Sequence, residues 1–298
     1  MGPHATNEER HKSSPVSIRR ATPADAEACG SICFEAFRSI ATAHGFPPDL
    51  PSPQMAAGVL HTMFSHPGFY CVVAENGDRI VGSNCLDERN PIAGIGPITV
   101  DPSAQNHNLG RQLMQAVLDR IAERKFPGTR LVQAAFHNRS LSLYTKLGFD
   151  AREPLSCLQG PPIGRKIAGY EVRPARMDDL AACDALCVRV HGHDRSGELR
   201  DGIATGSAVV AERDGSIAGC ASSMAFFGYG VARSNEALMA LIAAAPAFAG
   251  PGILIPTRNA ELFRWCLASG LRVVQPMTLM SIGLYSEPAG AWFPSVTY

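Results

Sequence analysis

The chain has 298 residues, 46% apolar and 18% charged, and its 27 basic side chains balance its 27 acidic ones. That length suits two domains better than one small core. A formal net charge of zero gives no ground for expecting nucleic acid as a partner.

Met1 to Pro15 is polar, lacks aromatic residues and has no charged segment leading into an apolar one. Residues 1–15 therefore read as a mobile tail and the protein as cytoplasmic. Ile18 to Cys33 reads as a short strand and a helix, with Cys29 and Cys33 on one helix face. The nine cysteines show no zinc-ligand spacing and read as buried apolar residues in a reducing compartment. After the proline-rich arm His44 to Pro53, Val72 to Glu75 and Ile80 to Gly82 flank Asn76-Gly77-Asp78 as strand, turn and strand. Asp87 and Glu88 follow, either in a solvated turn or as catalytic carboxylates.

Ile92 to Val100 is the next strand; Pro97 cannot donate to a ladder, and Gly94 with Gly96 favours a bulge or splay. A polar turn, Ser103 to Gly110, then opens a helix with Leu109, Leu113, Val117 and Ile121 as its apolar stripe. Unpaired N–H donors and the positive dipole end of such a helix suit a phosphate. Gly110 leaves room for a ligand at the backbone, Arg111 adds fixed positive charge, and His107 offers a ring donor. Leu131 to Ala135 is a strand. Asn138 or Ser140 caps the helix that runs to Gly148.

Two of these segments recur. Ile18 to Cys33 overlays Val172 to Cys187, with Arg19, Ala21, Asp25, Ala28, Cys29 and Cys33 on identical residues. Val72 to Gly82 overlays Val209 to Gly219, and the offset shrinks from 154 to 137, so the second copy is shorter in its helical arm. Gly160 to Lys166 breaks the pattern. The chain divides into residues 16–165 and 166–298, two copies of one α/β unit. The uncharged run Ala237 to Thr257 is broken by Pro246, Gly250, Pro251 and Gly252, so a buried helix and strand are expected there rather than a membrane span.

Val100-Asp101-Pro102 followed by Gln105-Asn106-His107-Asn108-Leu109-Gly110 resembles the acyl-CoA loop of the GCN5-related N-acetyltransferase (GNAT) superfamily. Asn108 stands where the first glycine is expected, and Asn tolerates left-handed backbone angles. Asn138 to Phe149 resembles the family's Asn-x-x-Ala-x-x-Leu-Tyr-x-Lys-x-Gly-Phe helix, with Ser140 replacing the alanine. The resemblance covers residues 16–160 directly and 166–290 through the repeat. It implies an α/β fold of two tandem GNAT-like domains, each a mixed, mostly antiparallel sheet flanked by helices, with splayed strands at the acyl-CoA site.

It also implies acetyl-CoA as co-substrate, held by Ile98, Thr99 and Val100 of the splayed strand and by Gln105, Asn106, His107, Asn108, Leu109, Gly110 and Arg111 of the loop. Asn138 and Tyr144 complete that set. Tyr144 is the implied general acid toward the leaving thiolate, Asp87 and Glu88 are candidates for the base, and His137 is an alternative base acting through water. The second copy has no such loop, and Trp265 stands near the tyrosine's place, so it is expected to be degenerate and to support the first. His191, His193 and Asp194 form no complete ligand set, and no metal is expected. The aromatic tail Ala289 to Tyr298 is expected to dock on the first domain and help close the acceptor pocket. The reading is an acyl-CoA-dependent N-acyltransferase acting by direct attack of a small-molecule amine, with no nucleic acid or membrane partner and with homodimerisation through the second copy compatible with it. The alternative is a non-catalytic CoA-sensing or partner-binding protein on the same fold.

Overall fold

A computed structural model describes residues 16–105 and 108–298. The expectations for the tail 1–15 and for Asn106 and His107 lie outside the described residues.

The first half runs β1 (Ser17–Arg20), α1 (Ala26–Ala43), α2 (Pro53–Ser65), β2 (Phe69–Asn76), β3 (Arg79–Asp87), β4 (Ala93–Val100), α3 (Leu109–Arg124), β5 (Gly128–Ala134), α4 (Asn138–Lys146) and β6 (Asp150–Gln159). The second half repeats that order as β7 (Glu171–Pro174), α5 (Leu180–His191), α6 (Ser196–Ala204), β8 (Val209–Arg213), β9 (Ser216–Ala221), β10 (Gly230–Ala232), α7 (Asn235–Ala244), β11 (Ile253–Pro256), α8 (Ala260–Ala268) and β12 (Arg272–Gly283). β13 (Ala291–Phe293) is an addition with no counterpart in the first half.

The residues shared by the two copies build the same device twice. Arg19 reaches Asp25 at 2.8 Å and Glu75 at 2.6 Å, while Arg173 reaches Asp179 at 2.7 Å and Glu212 at 2.5 Å. In each copy the aspartate also accepts a backbone N–H three residues before it, from Thr22 or Arg176, at 2.7 Å. One arginine thus ties the first strand to its neighbour and to the start of the first helix.

The last strands of the two halves are exchanged. One sheet has the order β1-β2-β3-β4-β5-β12-β6-β11, so β12 of the second half fills the place between β5 and β6, and β6 lies between β12 and β11. β6 accordingly buries its alternate faces in clusters built largely from the second half: Leu158 belongs to the cluster that includes Leu238 and Leu241 of α7, and Cys157 to the one that includes Cys183 and Leu186 of α5. The remaining strands form a second sheet, β13-β10-β9-β8-β7. On the first sheet, Leu109, Leu113, Val117 and Ile121 press α3 onto Val72, Ala74 and Val81, as the stripe predicts. All nine cysteines are free and buried. Among the described residues no helix is long and apolar enough to cross a membrane; the uncharged run folds as α7 and β11.

Candidate functional site

β4 and β5 are parallel neighbours only at Ala93, Ile95 and the residue between, opposite Thr129 to Leu131. Gly96 has φ +132°, a value a side chain would resist, and beyond it β4 stays on β3, pairing Ile98 with Asn84, Thr99 with Ser83 and Val100 with Gly82. The other edge of β4 is therefore released from β5, and the splay opens into a cavity of about 450 Å³.

Ile98, Thr99, Val100, Gln105, Asn108, Leu109, Gly110, Arg111 and Tyr144 all line this cavity. Asn108 takes the left-handed conformation at φ 62°, as a glycine substitute must, and its side chain makes no capping hydrogen bond. The first turn of α3 contains no acidic residue, so its N–H donors and Arg111 present uncompensated positive potential. A Cβ built at Gly110 would meet Leu143 Cδ2 at 3.5 Å and Val100 Cγ2 at 4.0 Å, ordinary contacts. The fold does not demand glycine at 110; the space matters for whatever lies beside it. Gln105 donates to the Val100 carbonyl at 3.5 Å and accepts from Arg139 at 3.2 Å, joining the loop to the start of α4.

α4 is capped differently from the sequence expectation. His137 occupies the cap, its Nδ1 accepting from Ser140 N at 2.9 Å, and Asn138 is exposed in the first turn without lining the cavity. Burial pushes the His137 pKa down, so the ring is neutral and suited to this acceptor role. Tyr144 is 6% exposed. Burial pushes its phenol up to about 12, opposed by a hydrogen bond with Ser140, so it keeps its proton throughout the neutral range.

Asp87 and Glu88 are not among the cavity's lining residues. Asp87 is 5% exposed and bound to Arg89 at 2.5 Å, and Arg89 continues to Asp201 of α6 at 2.7 Å. Glu88 is held by Arg120 of α3 at 2.7 Å. The segment that reads as a solvated turn is covered by the second half, with Asn90 accepting from Gly197 N at 3.1 Å. Arg89, held by Asp87, carries the ionic link to the second half, and Glu88 is paired within the first half.

Sequence reasoning missed other residues of the cavity. Asp49, between α1 and α2, lines it and accepts from Gln275 Nε2 of β12 at 2.6 Å. Burial raises the Asp49 pKa, partly offset by that bond. Gln133 of β5 lines the cavity at 6% exposure with neither amide atom bonded to protein. The arm before α2 folds over the site, with Phe46 stacked on Phe136 at 4.3 Å between ring centres. Phe226, Phe227, Gln275, Met277, Val296 and Thr297 bring the second half to the same cavity. An acid among prolines marks Asp49 in the sequence; nothing there links it to Gln275.

The equivalent place in the second half is closed. β13 pairs with β10, setting Trp292 opposite Val231, and so occupies the position beside β10 where the first half splays. Only Arg233 and Ser234 separate β10 from α7, and Ser234 caps α7 by accepting from Ala237 N at 3.3 Å. Asn235 and Asn259 exchange amide hydrogen bonds at 3.2 and 2.8 Å, joining the starts of α7 and α8. His191 and His193 are stacked nearby, with His193 bonded to the Asp194 carbonyl and the Tyr298 hydroxyl at 2.9 Å each. Past β13 the tail crosses to the first half, where a Cβ at Gly94 would meet the Thr297 carbonyl oxygen.

Residues 34–149 match the sequence profile of the acetyltransferase (GNAT) family. Over 76 residues the chain is 36% identical to mycothiol acetyltransferase of Nocardia farcinica (strain IFM 10152), which is 24% of this chain and 25% of that protein. The match thus spans a quarter of the relative's length. A proposed acetyltransferase from Pyrococcus horikoshii superposes with a TM-score of 0.75 at 20% identity, covering 98% of each chain. A tandem GNAT protein from the clavulanic acid biosynthesis pathway superposes with a TM-score of 0.55 at 13% identity, covering 90% of this chain and 98% of that one. These likenesses establish a tandem GNAT fold.

Proposed function

With residues 34–149 belonging to the GNAT acetyltransferase family, we propose that the chain is an N-acetyltransferase with one active site, in its first half, that passes acetyl from acetyl-CoA directly to the amine of a small molecule. The observation that carries the reading is the junction of three features in one cavity: the free edge of β4 past Ile95, the open helix start at Gly110 and Arg111, and the buried Tyr144.

The residues present fit the co-substrate. The free β4 edge offers main-chain groups to an extended arm in the manner of an added strand, and Gly110 with Arg111 suits its phosphates. Acetyl-CoA supplies the thioester carbonyl that an amine attacks. Donors fixed along β4 orient that carbonyl, and the enclosing arm positions the amine beside it.

Direct transfer is favoured because Cys33, the thiol at the cavity, is pushed up to about 12 by burial and stays protonated. Tyr144 acts as a hydrogen-bond donor to the departing sulfur. A phenol at about 12 lies some 3–4 pKa units above an ordinary thiol, so complete proton transfer would be uphill by roughly 5 kcal/mol. Stabilisation without transfer requires no such climb.

Calorimetric titration with acetyl-CoA tests the site. Saturable binding is expected, with Gly110→Asp abolishing it while leaving Tm within a few degrees, since the fold has room for a side chain there. Absence of binding by the unaltered protein would remove the enzyme reading.

A further inference from the structure

The cavity's charges are segregated. Arg111 and Arg139 lie at the end formed by the starts of α3 and α4, and Asp49 is the one acidic side chain among the lining residues. The lining also includes Phe37, Leu50, Phe227 and Met277, of which Phe37, Leu50 and Phe227 pack against one apolar cluster. Among the described residues no cation pairs with Asp49; its bond is to the uncharged Gln275. Asp49 is half-buried, and a carboxylate drawn partly out of water without a cation is disfavoured unless a ligand brings one. Gln133 adds a donor and an acceptor, both unbonded, at 6% exposure. Natural interiors seldom leave both ends of an amide unpaired.

We propose, on the basis of the N-acetyltransferase reading above, that Asp49, Gln275 and Gln133 form an acceptor subsite, completed by the second half, for a monoamine with an apolar body and no carboxylate. Asp49 receives the ammonium group. Gln133 meets a hydrogen-bonding group of the bound pair. An α-amino acid would carry its carboxylate beside Asp49, which no cation partners, and a diamine would bring a second charge with no second acid in the lining to meet it. The raised pKa of Asp49 brings it toward the range in which it can accept a proton. In the reaction, the ammonium gives one proton to Asp49, and the freed nitrogen lone pair forms the C–N bond as the C–S bond breaks. A second N–H proton passes to the sulfur. The products are amide, free thiol and protonated Asp49, which returns its proton to water.

The test uses the full chain and measures thiol release from acetyl-CoA with 2-phenylethylamine, phenylalanine and 1,4-diaminobutane, alongside calorimetry with acetyl-CoA. The expected order puts 2-phenylethylamine at least a hundredfold above the other two in kcat/KM. Asp49→Asn should lower its kcat/KM at least a hundredfold with acetyl-CoA affinity unchanged, since Asn can still accept from Gln275. Gln133→Leu should lower kcat/KM about tenfold while Tm holds or rises, because it removes two unpaired buried polar groups. A purely structural glutamine would show the opposite, a loss of Tm. Equal or better use of phenylalanine, or an Asp49→Asn enzyme of normal kcat/KM, overturns the subsite and leaves the acetyltransferase reading standing. Binding of acetyl-CoA without turnover of any of the three amines overturns both.

Discussion

The two halves share an element order and an arginine-centred ion triad, and the difference that bears on binding is the gap beside their fourth strands. In the first half that gap is open, and the left-handed Asn108 stands directly ahead of α3. In the second it holds β13, the loop is reduced to Arg233 and Ser234, and an amide pair joins the two flanking helices. The scaffold is common to both copies, and on the proposed reading only the first binds. The second supplies instead a strand for the other's sheet and one wall of its cavity.

The largest effect should come from the plug. Trp292 is buried at 5% exposure between His191 and the core under α5, so Trp292→Ala should destabilise the chain by about 3–5 kcal/mol, read by denaturant unfolding. It should create no second acetyl-CoA site, because the short loop and the Asn235–Asn259 pair remain. Appearance of a second site would mean that the tail alone silences this half.

A smaller effect separates the two equivalent helices. Tyr144→Phe should lower kcat about a hundredfold with little change in acetyl-CoA affinity, whereas Trp265→Phe should leave kcat within twofold. Steady-state thiol release distinguishes them, and equal effects would contradict a single active half.

The smallest effects should be matched. Asp25→Asn and Asp179→Asn should each cost about 1 kcal/mol near neutral pH, modest because Arg19 and Arg173 are partly exposed. Arg19 holds the Asp25 carboxyl down at about 2, and Arg173 likewise lowers Asp179. Each contribution is present above the ordinary carboxylate pKa and is lost as pH falls through the lowered one, so the penalty of either variant should vanish toward pH 2. Urea unfolding across pH 2–7 checks this, and a penalty in one copy alone would break the equivalence.

The sequence carries the features whose cause is local. The left-handed Asn108, the α3 stripe from Leu109 to Ile121, the splay at Gly96 and the repeat itself are each specified by a few adjacent residues. What it does not carry depends on pairing across the chain. Asp87 and Glu88 read as an exposed acidic turn because Glu88 finds Arg120 only when α3 packs beside it, and because Arg89, which holds Asp87, is covered and engaged by Asp201 only when the second half docks. Asp49 and Gln275 meet because β12 crosses into the first half's sheet, an exchange invisible to local periodicity. His137 took the cap expected of Asn138 or Ser140 because a neutral imidazole nitrogen can accept the same N–H.

The most direct measurement is the number of acetyl-CoA molecules held per chain, counted by native mass spectrometry of the unaltered protein and of Gly110→Asp. One per chain, falling to none in the variant, is the predicted result. Two per chain, or one that survives in the variant, would contradict an account in which the first half alone binds and the second half serves it.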